Sequence, residues 1–420
     1  MQSIRLPFEL ILRIIPFLDD LPNVTKKEWE QTHLLANSKI RRRIGRPSLS
    51  SSSLVCHAWN DICRPYMFRS IYVDCNDDPD FDAFAFLHST APHLCKYVRE
   101  LRLRFCSEVV WVPAWMDACL RRFTNLQELE LRYFSEMEPT VATPLMRGIA
   151  SLLETISLKR LALLFWDKFD NALDLSLILS ACSTTLEELM IDCLLWEPSR
   201  KTMSFVPPAA RLQALRRLEL DESTTPFAHT TTIECPGLDT FAISHYQSDP
   251  WGLPSWIPAN ISELNFRVSD RSGLLQFERP VYPSRLTIQL ITLDGDITWL
   301  ENNISRLPFH HRLRELTIKI VCHGQNLSSF PEFACYETLC RLLLPQQYPA
   351  LVKRIIFNIR IWEDTDIDTA ESDNLRTREV VRLESAFSPL LAAGASSVQV
   401  VLAHQVPGEP HPNVIVECVV

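Results

Sequence analysis

The sequence predicts an α/β fold: a long solenoid of parallel strands joined by helical or irregular returns, preceded by a small all-helical N-terminal module. Three observations lead there. One short pattern, apolar-x-x-apolar-x-apolar, recurs down most of the chain, and repetition at a near-constant period marks stacked repeat architectures. Between several copies lie stretches with apolar residues at i, i+3 and i+4, the spacing of one helix face. Ahead of the first copy stand two amphipathic pieces of a different character.

The N-terminal pieces come first in the chain. In Leu6-Pro-Phe-Glu-Leu-Ile-Leu-Arg-Ile-Ile-Pro-Phe-Leu18, residues Leu10, Ile11, Ile14, Ile15 and Leu18 form one stripe, and Pro7 sits at the helix start, where its missing N–H costs little. In Ser53-Leu-Val-Cys-His-Ala-Trp-Asn-Asp-Ile-Cys-Arg-Pro65 the stripe is Leu54, Val55, Trp59 and Ile62, and Phe68-Arg-Ser-Ile71 follows. A polar stretch, about 21–52, separates the two; it holds the basic cluster Lys39 to Arg46 and ends in serines, the composition of a disordered loop. The cluster reads as a solvated loop or as a nuclear localisation signal. Loop-closure entropy rises slowly with length, so the insertion leaves the flanking helices able to meet.

Taken together, Leu-Pro-x-Glu-Leu, Ile-x-x-Phe-Leu, Leu-Val-Cys-x-x-Trp and the aromatic-Arg-x-Ile ending closely resemble an F-box, placed here at 1–75. The resemblance implies docking on the Skp-type adaptor of a cullin ubiquitin ligase, with the rest of the chain holding a protein substrate. Carried over position by position, Leu6, Pro7, Leu10, Ile11, Ile14, Leu18, Leu54, Val55 and Trp59 would share the adaptor contact and the small core beneath it. The other reading of these nine residues is that they pack only against the repeats.

The repeats occupy 76–420. Copies stand at Val98-Arg-Glu-Leu101-Arg-Leu103, Leu126 to Leu131, Leu158 to Leu163, Leu186 to Ile191, Leu215 to Leu220, Leu238 to Ile243, Ile261 to Phe266 and Leu313 to Ile318, with weaker ones at Leu286-Thr-Ile288 and Val352 to Phe357. Their central positions, 101, 129, 161, 189, 218, 241, 264, 286, 316 and 355, are separated by 22 to 39 residues. In an extended strand Leu101 and Leu103 point to one face while Glu100, Arg102 and Arg104 point to the other. One such strand cannot bury its apolar face alone, whereas a stack of about ten can. The array resembles degenerate leucine-rich repeats; of the family's Asn/Cys position after the last strand leucine it keeps only Cys106, with Phe134 and Trp166 in the next two copies.

Helical returns are expected at Trp115 to Phe123, Leu145 to Ile156 and Leu173 to Cys182. The short steps between 218 and 286 contain Pro236, Pro250, Pro254 and Pro258 and call for irregular or 3₁₀ returns. The last repeat is read as a helix from Leu375 to Leu391, a stop at Gly394 and a strand Val398 to Leu402. An acidic loop covers about 363–374.

Composition narrows the function classes. Of 420 residues, 46% are hydrophobic and 22% charged, and 42 basic against 51 acidic side chains leave a net charge of −9. The acidity argues against nucleic acid as a partner, which needs a surplus of cations on some face. The closest of nine glycines, Gly394 and Gly408, are 14 residues apart, so no glycine-rich phosphate cradle can be written and no cofactor is expected. No uncharged apolar run approaches the length of a membrane span, and Glu9 and Arg13 interrupt the N-terminal apolar stretch. Thirteen scattered cysteines read as reduced thiols of the cytoplasm or nucleus, and the sequons at Asn23, Asn260, Asn303 and Asn326 as chance matches. Asp364 to Asp373 begins like a calcium loop but carries Thr369 where the glycine and Leu375 where the last acid belong; His310-His311, Cys322-His323, Cys335 and Cys340 lack zinc spacing. No metal and no catalytic residue are assigned.

On the inner face the position before each central residue reads Glu100, Glu128, Arg160, Glu188, Arg217, Thr240 and Glu263. Two readings stand: a cross-strand charge ladder, and a mixed-charge surface on which a substrate lies, flanked by Glu130, Arg132, Met190, Asp192, Glu219, Asp221, Asn265 and Arg267. Trp196 and Trp251, just past strand ends, are read either as anchors for a partner or as lids on the core. The expected role is substrate recognition without catalysis, raising the concentration of a substrate near a ubiquitin-carrying enzyme. The competing classes are an interaction scaffold with no ubiquitin role and a hydrolase, which would need a nucleophile and a base in one pocket.

Overall fold

The structure is a computed structural model. It describes residues 57–74, 85, 87–104, 118–132, 148–164, 172–192, 210–220, 233–245, 251–269, 272–276, 280–292, 298–303, 306–307, 312–323, 336–344, 354–362, 381–382, 385–392, 395, 397–405 and 413–419. In chain order the elements are helix α1 (His57–Met67), β1 (Ser70–Asp74), a 3₁₀ helix (Pro92–Tyr97), β2 (Glu100–Arg104), β3 (Glu128–Arg132), β4 (Arg160–Leu164), α2 (Ala172–Ala181), β5 (Glu188–Asp192), β6 (Ala210–Arg211), β7 (Arg217–Leu220) and β8 (Ile233–Glu234). Then come β9 (Thr240–His245), β10 (Trp251–Gly252), β11 (Glu263–Ser269), β12 (Leu275–Gln276), β13 (Arg285–Thr292), α3 (Thr298–Asn303), β14 (Glu315–His323), α4 (Tyr336–Leu343), β15 (Arg354–Trp362), β16 (Ser397–Gln405) and β17 (Asn413–Val419).

The chain divides into two units, one of residues 1–214 and 232–234, the other of 215–231 and 235–420. In the first unit β1 to β5 lie side by side in sequence order, all parallel. Their register aligns Ile71, Leu101, Leu129, Leu161 and Leu189. In the second unit β7, β9, β11, β13, β14, β15 and β16 are parallel, and their register aligns Leu218, Phe241, Leu264, Leu286, Leu316, Ile355 and Val398. Thus all ten central positions of the sequence pattern stand opposite their neighbours within a unit, and each is at most 2% exposed. Burying a leucine side chain contributes about 2 kcal/mol, so the aligned rows supply much of each unit's core.

One strand per repeat also settles where the backbone groups go. In the first unit the carbonyls of Arg99, Gln127 and Lys159, each two residues before a central position, accept two N–H groups from the next repeat: Arg99 O from Gln127 and Glu128 at 2.8 and 2.9 Å, Gln127 O from Lys159 and Arg160 at 2.8 and 3.0 Å, Lys159 O from Glu187 and Glu188 at 2.8 and 2.9 Å. The second unit repeats the device, with Arg216 O, Asp239 O, Ser262 O and Ser284 O each taking two donors. The stack is therefore hydrogen-bonded through its own backbone at these strand entrances, where buried backbone groups must be satisfied.

The returns follow the step lengths. Residues 148–153 are helical, as is α2, while the returns between β9 and β13 hold turns and two-residue strands among the described residues. β6 pairs with β8, and β10 with β12, both in parallel. At the second pair the backbones approach so closely that a Cβ on Gly252 would stand 2.4 Å from the Gln276 carbonyl oxygen; only glycine fits there. Residues 385–392 are helical and β16 contains the expected strand Val398 to Leu402.

Two features differ from the sequence reading. The stretch 1–75 is not wholly helical, because β1 lies inside it and pairs with β2; Ile71 and Val73 alternate with polar neighbours as the later strands do. Strand β17 follows the last repeat and runs antiparallel to β16, with a register shift at Leu402/Ala403. Asn303, one of the sequon residues, is 1% exposed: its Oδ1 accepts the Leu275 N–H at 2.7 Å and its Nδ2 donates to the Trp299 carbonyl at 2.9 Å. Among the described residues no helix is long and apolar enough to cross a membrane.

Candidate protein-binding face

Side chains alternate along a strand, so fixing the central leucines inside fixes their neighbours outside. In the first unit the register places three outward rows. The first is Ser70, Glu100, Glu128, Arg160 and Glu188; the second Tyr72, Arg102, Glu130, Ala162 and Met190; the third Arg104, Arg132 and Leu164. In the second unit the first row is Arg217, Thr240, Glu263, Arg285, Glu315, Arg354 and Ser397. Glu219, Ala242, Asn265, Thr287, Thr317, Ile356 and Gln399 make the second, and Ser244, Arg267, Gln289, Lys319, Asn358 and Val401 the third.

Opposite charges meet along these rows. Arg69 donates to Glu100 at 3.2 Å, and Arg160 lies between two acids, 3.3 Å from Glu128 and 3.6 Å from Glu188. In the second unit Arg285 meets Glu263 at 2.9 Å and Arg354 meets Glu315 at 3.6 Å. All are partly solvated, and such pairs contribute only about 0.2–1 kcal/mol each. The row also contains a repulsive step: Glu100 and Glu128 stand directly opposite on neighbouring strands. Burial first, and the Glu100 carboxylate second, push the Glu128 carboxyl above its ordinary range, against the pull of Arg160 and Arg102.

The predicted site residues divide by unit. Glu130 and Arg132 pair with each other on β3, and Arg102 stands 3.8 Å from the same carboxylate. Met190 lies in Glu130's row, two strands away, and Asp192 takes its register position beside Leu164. Arg132 is placed on the outward face by alternation, yet it is only 2% exposed, next to the buried Ala162 and Leu164 of the same face. Desolvation pulls its guanidinium down to about 10, and Glu130 opposes the shift. Its charge is thus engaged inside the face rather than offered to a partner. In the second unit Glu219 and Asn265 share a row, Arg267 is exposed in the next, and Asn265 Nδ2 donates to Glu263 at 3.0 Å. Asp221 lies outside the described residues.

The sequence reading stops the charged row at Glu263, whereas the structure continues it through Arg285, Glu315 and Arg354. The signal was present, since those residues precede the central positions 286, 316 and 355. Trp251 is a lid on the core: it is 4% exposed, stacks on His245 at 4.8 Å and meets Phe266 edge-on at 5.5 Å. Trp196 lies outside the described residues, as do the acidic loop 363–374, His310 and His311.

Of the nine residues carried over from the F-box motif, Leu6, Pro7, Leu10, Ile11, Ile14, Leu18, Leu54 and Val55 lie outside the described residues. Trp59 is half-buried on α1, where it packs with Ile62, Tyr66 and Met67 around the fully buried Cys63.

Chemically the face offers charges and amides for recognition. Burial pushes the Cys182 and Cys235 thiols up to about 12 and raises those of Cys63 and Cys340, so these four are protonated and poorly nucleophilic at neutral pH. Among the described residues no group of three or more His, Cys, Asp or Glu side chains could hold a metal ion. Comparison with protein-family models finds no match, and comparison with curated proteins finds none either.

Proposed function

We propose that this chain is the substrate-recognition subunit of a Skp-cullin-F-box ubiquitin ligase, docking on the Skp-type adaptor through residues of 1–75 and holding a protein substrate on the outward face of its strands. The observation that carries the reading is a combination: the F-box-like motif in the sequence stands directly ahead of a one-strand-per-repeat α/β array. Such an array presents a broad, regular surface, which suits recognition. The receptor carries out no chemistry itself; it raises the local concentration of a substrate lysine near a ubiquitin-carrying enzyme. It acts in the cytoplasm, the nucleus or both.

Co-expression with a Skp adaptor tests the reading. The full chain is expected to co-purify with the adaptor and a cullin, and Ile11→Asp with Val55→Asp is expected to abolish capture while leaving the circular dichroism of the array unchanged. A wild-type chain that is monodisperse alone and indifferent to the adaptor would sink the proposal. One observation favours the second reading, a scaffold without a ubiquitin role: Trp59, Ile62, Tyr66 and Met67 are already partly buried around Cys63. In that case the double substitution leaves all binding partners in place.

A further inference from the structure

Beyond partner binding, one pair of side chains in the first unit has its own chemistry. Cys95 lies in the 3₁₀ helix that leads into β2, and Cys119 in the helical turn that leads into β3. Both are 0% exposed and neither is in a disulfide. Their side chains hydrogen-bond to each other. Two further contacts hold the same two returns together: Asn125 Nδ2 donates to the Lys96 carbonyl at 2.6 Å, and the Arg122 guanidinium donates to the His88 carbonyl.

We propose that Cys95 and Cys119 are a reversible dithiol–disulfide pair, a redox modification site that clamps the returns ahead of β2 and β3 to one another. The pair is asymmetric. Cys119's hydrogen bond, aided by Arg122, draws the Cys95 thiol down, whereas that bond and burial push Cys119 up. The proton is therefore held on Cys119 and the nucleophile is Cys95. In Cys182, Cys235, Cys63 and Cys340 burial is the largest cause and raises the thiol, whereas Cys95 is drawn down by its thiol neighbour.

The oxidant is a peroxide. The Cys95 sulfur attacks one peroxide oxygen and the O–O bond breaks, giving a sulfenic acid at Cys95 and one water once the departing hydroxide is protonated. Cys119 sulfur then attacks the Cys95 sulfur; the S–S bond forms, hydroxide leaves, and the Cys119 proton converts it to a second water. Both thiols are oxidised and one peroxide is reduced. Access comes from local opening of the short turns, the least stable class of element: Pro92, His93 and Lys96 are exposed around Cys95, and Ala118, Arg121 and Arg122 around Cys119.

The test uses the full chain, titrated with hydrogen peroxide, quenched with an alkylating reagent, digested and mapped by mass spectrometry. A Cys95–Cys119 linked peptide is expected at the lowest effective dose, before any link to Cys63, Cys182, Cys235 or Cys340, and it should vanish with dithiothreitol. Hydrogen exchange of 92–98 and 118–126 should slow in the oxidised form. Cys119→Ser should leave Cys95 as a sulfenic acid that dimedone captures, while Cys95→Ser leaves Cys119 unlabelled. If Cys119→Ser loses its circular dichroism, the wild-type map alone decides. The proposal is overturned if Cys95 and Cys119 stay alkylatable at doses that oxidise Cys182 or Cys235, or if either links to a different cysteine.

Discussion

Glu128 makes an ion pair, yet replacing it with glutamine is expected to stabilise the protein at pH 7. Arg160 at 3.3 Å attracts its carboxylate, but burial and Glu100, directly opposite on β2, work against the charge and dominate, so the carboxyl is raised. For an acid raised on folding, the native state binds the proton more readily than the unfolded chain. Its contribution to stability is fully present below the unfolded value, near 4.3, and is lost as pH rises through the higher folded value. At pH 7 the ionised side chain is therefore a net cost. The side chain is 38% exposed and screened by solvent, so the gain from Glu128→Gln is small, about 0.5 kcal/mol from the cross-strand repulsion removed. With a urea m-value of ~2 kcal/mol/M, the midpoint of the first unit's transition moves up by about 0.25 M. The assay is urea unfolding of wild type and variant at pH 7 and at pH 4. The gain should shrink at pH 4, where wild-type Glu128 is itself largely protonated, and Glu100→Gln should reproduce part of it at pH 7. A variant less stable than wild type at pH 7, or a gain independent of pH, refutes the reasoning.

Gly252→Ala is expected to cost about 1–3 kcal/mol, because the new Cβ meets a backbone oxygen that cannot swing aside; thermal unfolding of the second unit reads it. Asn303→Ala removes the acceptor of the buried Leu275 N–H and should cost about 1–3 kcal/mol, visible as lost exchange protection at Leu275. Phe266→Ala empties a fully buried site against Trp251 and should cost about 3–5 kcal/mol, while Arg267→Ala, one residue along and exposed, should leave stability within about 0.5 kcal/mol of wild type.

The fold was legible where the repeat recurs. A central residue every 22 to 39 positions tells which side chains are inside, and the register bears this out at every copy. β1 escaped because Ser70-Ile-Tyr-Val-Asp74 also completes the N-terminal motif, and a five-residue alternation carries no repeat of its own. β17 escaped because an antiparallel partner is outside the period altogether. The two-residue strands and the doubly used carbonyls are backbone geometry with no side-chain signature. Of the site, the charged first row could be read position by position, since alternation alone sets it. The burial of Arg132 could not, because it depends on Ala162 and Leu164 standing beside it on the next strand, and nothing in a single repeat says what its neighbour holds.

These particulars bear on why the outward rows carry the charges they do. Stacking within each unit is served by two devices that do not involve outward side chains: the aligned central apolar residues and the carbonyls that bridge neighbouring strand entrances. The outward positions correspondingly accept almost anything, from Glu128 and Arg160 to Ala162, Met190, Thr287 and Ile356. Exposed ion pairs there contribute tenths of a kcal/mol each, and the Glu100–Glu128 step subtracts from that. A row kept for stability alone would alternate signs throughout, as Glu263–Arg285–Glu315–Arg354 does in the second unit. The first unit does not: Glu100, Glu128 and Glu188 share Arg160 between the latter two, leaving an acidic bias beside Arg69. On the proposed receptor role, that departure would make the first unit's face the first place to test for a substrate contact, with a cationic segment as the probe. Charge-neutralising Glu100→Gln with Glu128→Gln should then weaken substrate capture several-fold without loss of stability, and undiminished capture would move the contact elsewhere.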